Sequence, residues 1–368
     1  MDCLLSAGGL KKLLFPAGRS NNYWFHFMSL TYFSSERLCG WAVVAILLWC
    51  GTAVAEQGPL AVQNRFPLHL IFLTPRPTGA SLPTEGSLAS TISMDYNSVF
   101  VNEESDEWTA LIDMEMTVLE LSLVYGLTPT FSISAQIPFV SMSNGFLDGF
   151  LENYHSALGV PNYGREDRPK NSFAYNLGRD GLTWIDGNAG DLRWADMTVS
   201  GQMRLFRIGR SSKWSGTLLG SIKLPIGDTD LGYGSGRLDA GLFLPTQWDG
   251  QKWSLYLMPG YIWHSDPETQ GADVSARNSF SMFGGLGYAS SDRWKWFMQL
   301  NYSSSPVEET GIPILDDGAV ELTFGVRRIL NENWHVEFAF CEDLFTRSAP
   351  DFNVHLGLVW SYEIVNGK

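Results

Sequence analysis

Ser141-Met142-Ser143-Asn144-Gly145 is the stretch whose residue types come nearest to covalent chemistry. A serine hydroxyl is a poor nucleophile without a base to take its proton, and no histidine stands beside either serine. The histidines beyond residue 55 are His69, His155, His264, His335 and His355. They are scattered, with no His-x-x-x-His zinc spacing. His155 follows in the same long segment as the serines, but the spacing gives no reason to expect them to meet. The acidic runs Glu103-Glu104-Ser105-Asp106-Glu107, Glu308-Glu309 and Asp316-Asp317 could attract divalent cations. Such runs are more often solvated faces. Gly284-Gly285-x-Gly287 lies inside an alternating apolar run, where glycine eases curvature or close packing. These residues assign no catalytic group, no metal site and no cofactor.

The elements that would position any site are strands. In Val320–Phe340, the residues Val320, Leu322, Phe324 and Val326 alternate with Glu321, Thr323, Gly325 and Arg327. After Asn331-Glu332-Asn333, the residues Trp334, Val336, Phe338 and Phe340 alternate with His335, Glu337, Ala339 and Cys341. A period of two broken by a polar turn is a β-hairpin. The same pattern recurs near 88–97, 108–126, 131–139, 195–205, 214–224, 237–244, 253–263, 280–288, 294–303 and 352–362. Along 108–126 the apolar face changes sides: Ile112, Met114, Met116 and Val118 give way to Leu119, Leu121, Leu123 and Tyr125. A bulge near Val118 is expected to absorb that slip.

Short connections near 127–130, 208–213, 249–252, 291–293 and 331–333 alternate with longer ones near 102–107, 143–190, 227–236, 265–278, 304–317 and 342–351. Aromatic residues such as Trp214, Trp248, Trp253, Trp294 and Trp334 gather beside the short turns, as rings do at a headgroup layer. A soluble sandwich would also alternate, but it needs no ring of aromatics at one end. The fold expected is all-β: a closed antiparallel transmembrane β-barrel of about twelve strands, with short periplasmic turns and one long extracellular loop containing a helix. A formal net charge of −14 and a pI near 4.8 argue against nucleic acid as a partner.

Residues 1–55 read as a signal peptide. Arg37 precedes the short apolar run Trp41–Cys50, and Ala53-Val54-Ala55 supplies the cleavage site, with Met28 an alternative start. Trp49 is too bulky to precede a lipoprotein Cys50. Residues 56–85 form a Pro-rich extended arm that lies in the periplasm or folds into the lumen. Residues 86–368 form the barrel. Within the loop 143–190, Leu147, Phe150, Leu151, Tyr154 and Leu158 fall at helical spacing, with Asn144 and Gly159 as candidate caps. This helix either gates the barrel mouth or packs on its rim.

Several motifs carry a resemblance. They are Gly58-Pro59-Leu60 with Asn64-Arg65-Phe66-Pro67, Gly145-Phe146-Leu147-Asp148 with Phe150, Glu152 and His155, and Arg165-Glu166-Asp167-Arg168-Pro169. Gly190-Asp191-Leu192-Arg193 and Lys223-Leu-Pro-Ile-Gly-Asp228 also fit. The chain resembles the proteobacterial outer-membrane family known as domain of unknown function 3187. That resemblance implies a Gram-negative outer-membrane barrel and brings no ligand or reaction. Phe146, Leu147, Asp148, Phe150, Glu152, His155, Arg165, Asp167 and Arg168 are the candidate gate. Ser143-Asn144-Gly145 also resembles part of the His-x-Ser-Asn-Gly pattern of outer-membrane phospholipases, but Ser141 stands where that pattern has histidine.

On the inward face Asp95, Glu120, Asp196, Glu321 and Glu337 oppose Arg204, Lys223, Arg237, Lys295 and Arg327. A lumen of mixed sign suggests side-chain networks that partly fill it. The expected function is a passive channel for a small solute, gated by 145–158. A structural or adhesive barrel with a closed lumen is the alternative, and a lipase-like enzyme a third. The expected partners are outer-membrane lipid, lipopolysaccharide, the barrel-assembly machinery and a small solute, the protein being a monomer. If Phe338 faces lipid and Ala339 the lumen, a charge should be much better tolerated at Ala339.

Overall fold

The computed structural model describes residues 58–159, 162, 164–209, 213–344 and 348–363, all within the compact unit Cys50–Lys368. The expected signal peptide lies outside the described residues. Twelve antiparallel strands form the wall. They are β1 (Ser87–Glu104), β2 (Trp108–Thr128), β3 (Phe131–Ser143), β4 (Met197–Ile208), β5 (Lys213–Leu224) and β6 (Asp239–Phe243 with Thr246–Asp249). Next come β7 (Trp253–Trp263), β8 (Ser279–Ser291), β9 (Trp294–Ser303), β10 (Ala319–Ile329), β11 (Trp334–Asp343) and β12 (Phe352–Glu363). The barrel closes where β1 pairs β12, from Ser87↔Glu363 to Ser98↔Phe352. Closure leaves no open edge for lipid to meet. β6 is interrupted at Pro245, which has no N–H to give the ladder. Its carbonyl still accepts from Thr217 N, and Leu244 N donates to Pro259 O, so the wall stays continuous there.

Connections after β2, β4, β6, β8 and β10 are short turns, and those after β3, β5, β7, β9 and β11 are long. The β1–β2 connection is shorter than expected. The two strands pair to Glu104↔Thr109, leaving a turn of 105–107 at the long-loop end. With 18 and 21 residues, β1 and β2 exceed the nine to eleven that span a bilayer. Their hairpin therefore rises above its neighbours. Its upper edge pairs with a hairpin from the long loop, Ala174–Arg179 and Leu182–Asp186.

The expected bulge near Val118 is absent, because the β1–β2 and β2–β3 registers run unbroken through it. What changes at Val118 is the surroundings of each face. Below it, toward the short turns, Leu119, Leu121, Leu123 and Tyr125 point outward, and Glu120 and Ser122 inward. Above it, Ile112, Met114 and Met116 still point inward, into an apolar core, and outward-pointing Asp113 and Glu115 are buried beneath the long loop. The apolar side of the strand switches where the strand leaves the membrane layer.

The outward face elsewhere presents exposed apolar residues, among them Ile222, Leu257, Met298, Phe324, Phe338 and Leu356. Near the short turns, rings pair as Trp214–Trp248, Trp253–Tyr288 and Trp334–Trp360. An apolar band edged by aromatic rings is the surface of a transmembrane barrel.

Candidate functional site

The lumen is occupied by the N-terminal arm. It starts at the short-turn end, where Arg327 donates to the carbonyls of Gly58 (2.9 Å) and Pro59 (3.1 Å). It rises to a short helix, α1 (Pro67–Ile71), at the long-loop end. It then returns through Leu73–Gly79 and enters β1 after Gly86, whose N–H meets Gly126 O (2.8 Å). Proline at 59, 67, 75 and 77 keeps both limbs out of any ladder. Their backbone groups must still be paired once buried, and wall side chains do this. Gln299 accepts from Leu60 N (2.7 Å) and donates to Leu60 O (3.1 Å). Asp239 accepts from Leu73 N (2.8 Å), Gln247 from Ala80 N (3.0 Å), and Gln202 donates to Gly79 O (2.8 Å).

Two apolar clusters lock the arm. At the long-loop end, Phe66, Leu68, Ile71 and Phe72 pack with Val99, Ile112 and Met116 of the wall and with Tyr175, Tyr233, Val307 and Ile312 of the loops. Farther along, Leu60, Val62 and Leu73 pack with Phe243, Met258, Phe283, Ala339 and Cys341. The wall glycine Gly325 is required here, since a Cβ would lie 2.4 Å from Leu60 Cδ1.

Between the clusters runs a buried charge network. Arg65 lies 2.6 Å from Asp95 and 3.2 Å from Glu120. Asp95 also meets His355 Nδ1 at 2.6 Å. Arg76 of the returning limb donates to Ser122 and lies 3.4 Å from Glu120. Nearer the short turns, Arg327 pairs with Glu337 (2.6 Å), which His335 approaches at 3.3 Å.

Most of the lumen residues expected from sequence are in this interior. Asp95, Glu120 and Arg327 hold the arm, and Glu337 pairs with Arg327. Lys223 pairs with Asp196 (2.5 Å) and lies 3.6 Å from Asp239. Asp196 also accepts from Ile226 N, Gly227 N and Ser235 N, which fastens the loop after β5 across the end of the barrel. Lys295 donates to Ser254 and Tyr256 (2.9 Å each), and Glu321 accepts from Cys341 Sγ (3.8 Å). Two differ. Arg237 is not a lumen residue: it lies beyond the start of β6 and pairs with Glu268 (3.5 Å), both about half exposed. Arg204 turns to the rim and donates to Pro129 O (2.8 Å).

Arg65, Arg76 and His355 are not legible as lumen residues in the sequence, because the network has its centre on the arm. One signal was available. Leu60, Val62, Phe66, Leu68 and Leu70 are too apolar for a segment standing in water.

The candidate gate lies on the outer wall. Cross-strand partners share a face, so Tyr96, Ser98, Phe100, Asp113 and Glu115 all point outward. They are what the loop touches. Glu115 accepts from Phe146 N (2.7 Å), Leu147 N (2.5 Å) and the Tyr96 hydroxyl. Gly145 has φ +61°, and a Cβ there would meet the Glu115 carboxyl at 2.0 Å. Arg168 pairs with Asp113 (2.7 Å). Arg165 stacks over Phe100 (5.0 Å) and pairs with Asp148 (2.8 Å) and Asp351.

The helix α2 (Asp148–Leu158) rests on this clasp. Gly159 in the left-handed region ends it, whereas Asn144 does not cap it and donates instead to Asn171 O (3.0 Å). Phe150 meets Phe352 (6.4 Å), Glu152 pairs with Lys170 (2.7 Å), and His155 meets Asn162 (3.2 Å). Phe146 is 71% exposed and stacks on Tyr96 (5.9 Å), while Asp167 faces solvent. Among the described residues neither serine meets an imidazole. Ser141 donates to Gly190 O (3.0 Å) and Ser143 to Glu115 O (3.3 Å).

The wall and its lipid-type surface define an outer-membrane β-barrel. The chain belongs to the family described as protein of unknown function DUF3187, whose profile matches residues 37–362. No curated protein sequence matches it. Among solved structures it is similar to the COG4313 outer membrane channel from Pseudomonas putida F1, at 17% identity over 77% of this chain and 97% of that one, with a TM-score of 0.51. The NanC porin (9% identity, 74% and 98% coverage, TM-score 0.42) and the CymD monoaromatic hydrocarbon channel (10%, 76% and 89%, 0.38) are more distant. At these identities the likeness is one of fold alone.

Proposed function

We infer that this protein is a passive channel of the bacterial outer membrane for a small solute, held closed by its own N-terminal arm. The observation that carries this reading is the way the arm is attached. It occupies the lumen, yet it shares no ladder with the wall, so it can leave without breaking a barrel strand. Both ends of the arm lie at the short-turn end, which in an outer-membrane barrel faces the periplasm. The arm therefore takes the gating role that the sequence suggests for the loop helix. That helix clasps the outside of the wall, and removing 146–158 is expected to leave conductance as it was.

Planar-bilayer recording tests the reading. The full chain should open rarely, and a chain lacking 58–80 should conduct steadily. A second reading, a structural barrel with a closed lumen, is favoured by the depth of the blockade: arm, apolar clusters and loops together obstruct the axis. A silent barrel after arm removal would support it and refute the channel.

A further inference from the structure

The arm leaves one side of the lumen unfilled. A cavity of about 110 Å³ lies between its limbs and the inner wall of β1–β5. The residues facing it come from the period of two. β3 contributes Ser132, Ser134 and Gln136, and β4 contributes Thr198, Ser200 and Gln202. Register sets them side by side, as Ser134↔Ser200, Gln136↔Thr198 and Ser132↔Gln202. Thr91 and Ser122 extend the patch on one side and Ser221 on the other.

Some of these side chains are paired within the protein. Ser200 meets Ser221 (2.8 Å), and Gln202 donates to Thr217 (2.9 Å). Among the described residues, Thr91, Ser132, Ser134, Gln136 and Thr198 have no side-chain partner. Each can both donate and accept. The patch holds no ionisable group. The ionisable groups on the cavity's other sides already face partners, Arg76 with Glu120, and Arg327 and His335 with Glu337. A charged solute would lose its water here and find no free counter-charge, whereas a neutral molecule rich in hydroxyls finds donors and acceptors in both senses.

We propose that the β1–β5 wall is a binding site for a small neutral polyhydroxylated solute. The passage of that solute rests on the channel reading above, but its binding does not. The test uses the full chain with Ser134→Cys as the reporter and the other cysteines replaced by serine. Thiol labelling is followed with erythritol or with erythronate, which has the same carbon chain and a carboxylate. Erythritol should slow labelling several-fold and erythronate should not. Adding Ser200→Val should raise the erythritol concentration needed by about tenfold, as expected for one to two lost hydrogen bonds. Equal or better protection by erythronate, or protection by neither, overturns the proposal. If neither the full nor the arm-shortened chain conducts, the channel reading fails while the labelling result still decides the site.

Discussion

Arg65→Leu should free the arm, and the protein carries its own reporter of that event. Arg65 is buried, with Asp95 at 2.6 Å and Glu120 at 3.2 Å. Removing one partner from a buried ion pair costs about 3–5 kcal/mol, mostly because the remaining charges lose their compensation. The lower figure applies here, since Asp95 keeps His355 and Glu120 keeps Arg76. About 3 kcal/mol corresponds to roughly a hundredfold change in the equilibrium between docked and released arm. Cys341 points into the lumen, is 3% exposed, and packs in the cluster that contains Leu60 and Val62. Its reaction with a thiol reagent therefore requires the arm to move. With Cys3, Cys39 and Cys50 replaced by serine, Arg65→Leu should speed Cys341 labelling by roughly a hundredfold, and Arg65→Lys by less. If labelling is unchanged in Arg65→Leu but fast in a chain lacking 58–80, the charge network does not hold the arm, and the reasoning fails.

Neighbouring positions on β11 should separate lipid from lumen. Phe338→Arg puts a charge on the lipid face and should cost the barrel about 2–4 kcal/mol in urea unfolding from vesicles, with Cys341 still protected. Ala339→Arg should do the reverse, accelerating Cys341 labelling with a smaller effect on unfolding. Gly145→Ala imposes a side chain at φ +61° against Glu115 and should loosen the clasp, read as faster tryptic cleavage at Arg165 and Lys170. Docking of the arm should also depend on pH. Burial first, and the neighbouring His264 second, push His69 down to about 3. The released arm binds a proton near the ordinary histidine value and the docked arm does not. This contribution favours docking fully above about pH 6.5 and is lost, up to tenfold per unit, as pH falls from there toward 3. His69→Leu should flatten the change in Cys341 labelling over that range.

Alternation alone would let a charge sit at Ala339, and the folded protein does not, for a general reason. Alternation assigns Phe338 outward and Ala339 inward, and the structure agrees, with exposures of 48% and 0%. A polar lumen would have accepted a charge at Ala339. The arm turns that spot into a packed core, and nothing in the β11 pattern reports the arm. The apparent slip at Val118 has a similar origin. A one-dimensional pattern records which residues are apolar, but not whether lipid or protein lies beyond them.

The pattern of residues along the chain is enough to specify the wall. The period of two, the turn chemistry and the alternating loop lengths specify about twelve strands and, except on the upper part of β2, their faces, because a closed transmembrane sheet must pair every backbone group and alternate every side chain. It also placed Asp95, Glu120, Arg327 and Glu337 inside. What occupies the barrel and what lies outside it depends on contacts between distant parts of the chain. The arm's limbs carry no repeating pattern, since proline removes them from any ladder, and their partners lie up to 269 residues away, as Gly58 does from Arg327. The loop helix has an apolar stripe that would suit a lumen or an outer wall equally. The partners that settle it, Asp113 and Glu115, face outward on a strand read alone as a bulged one.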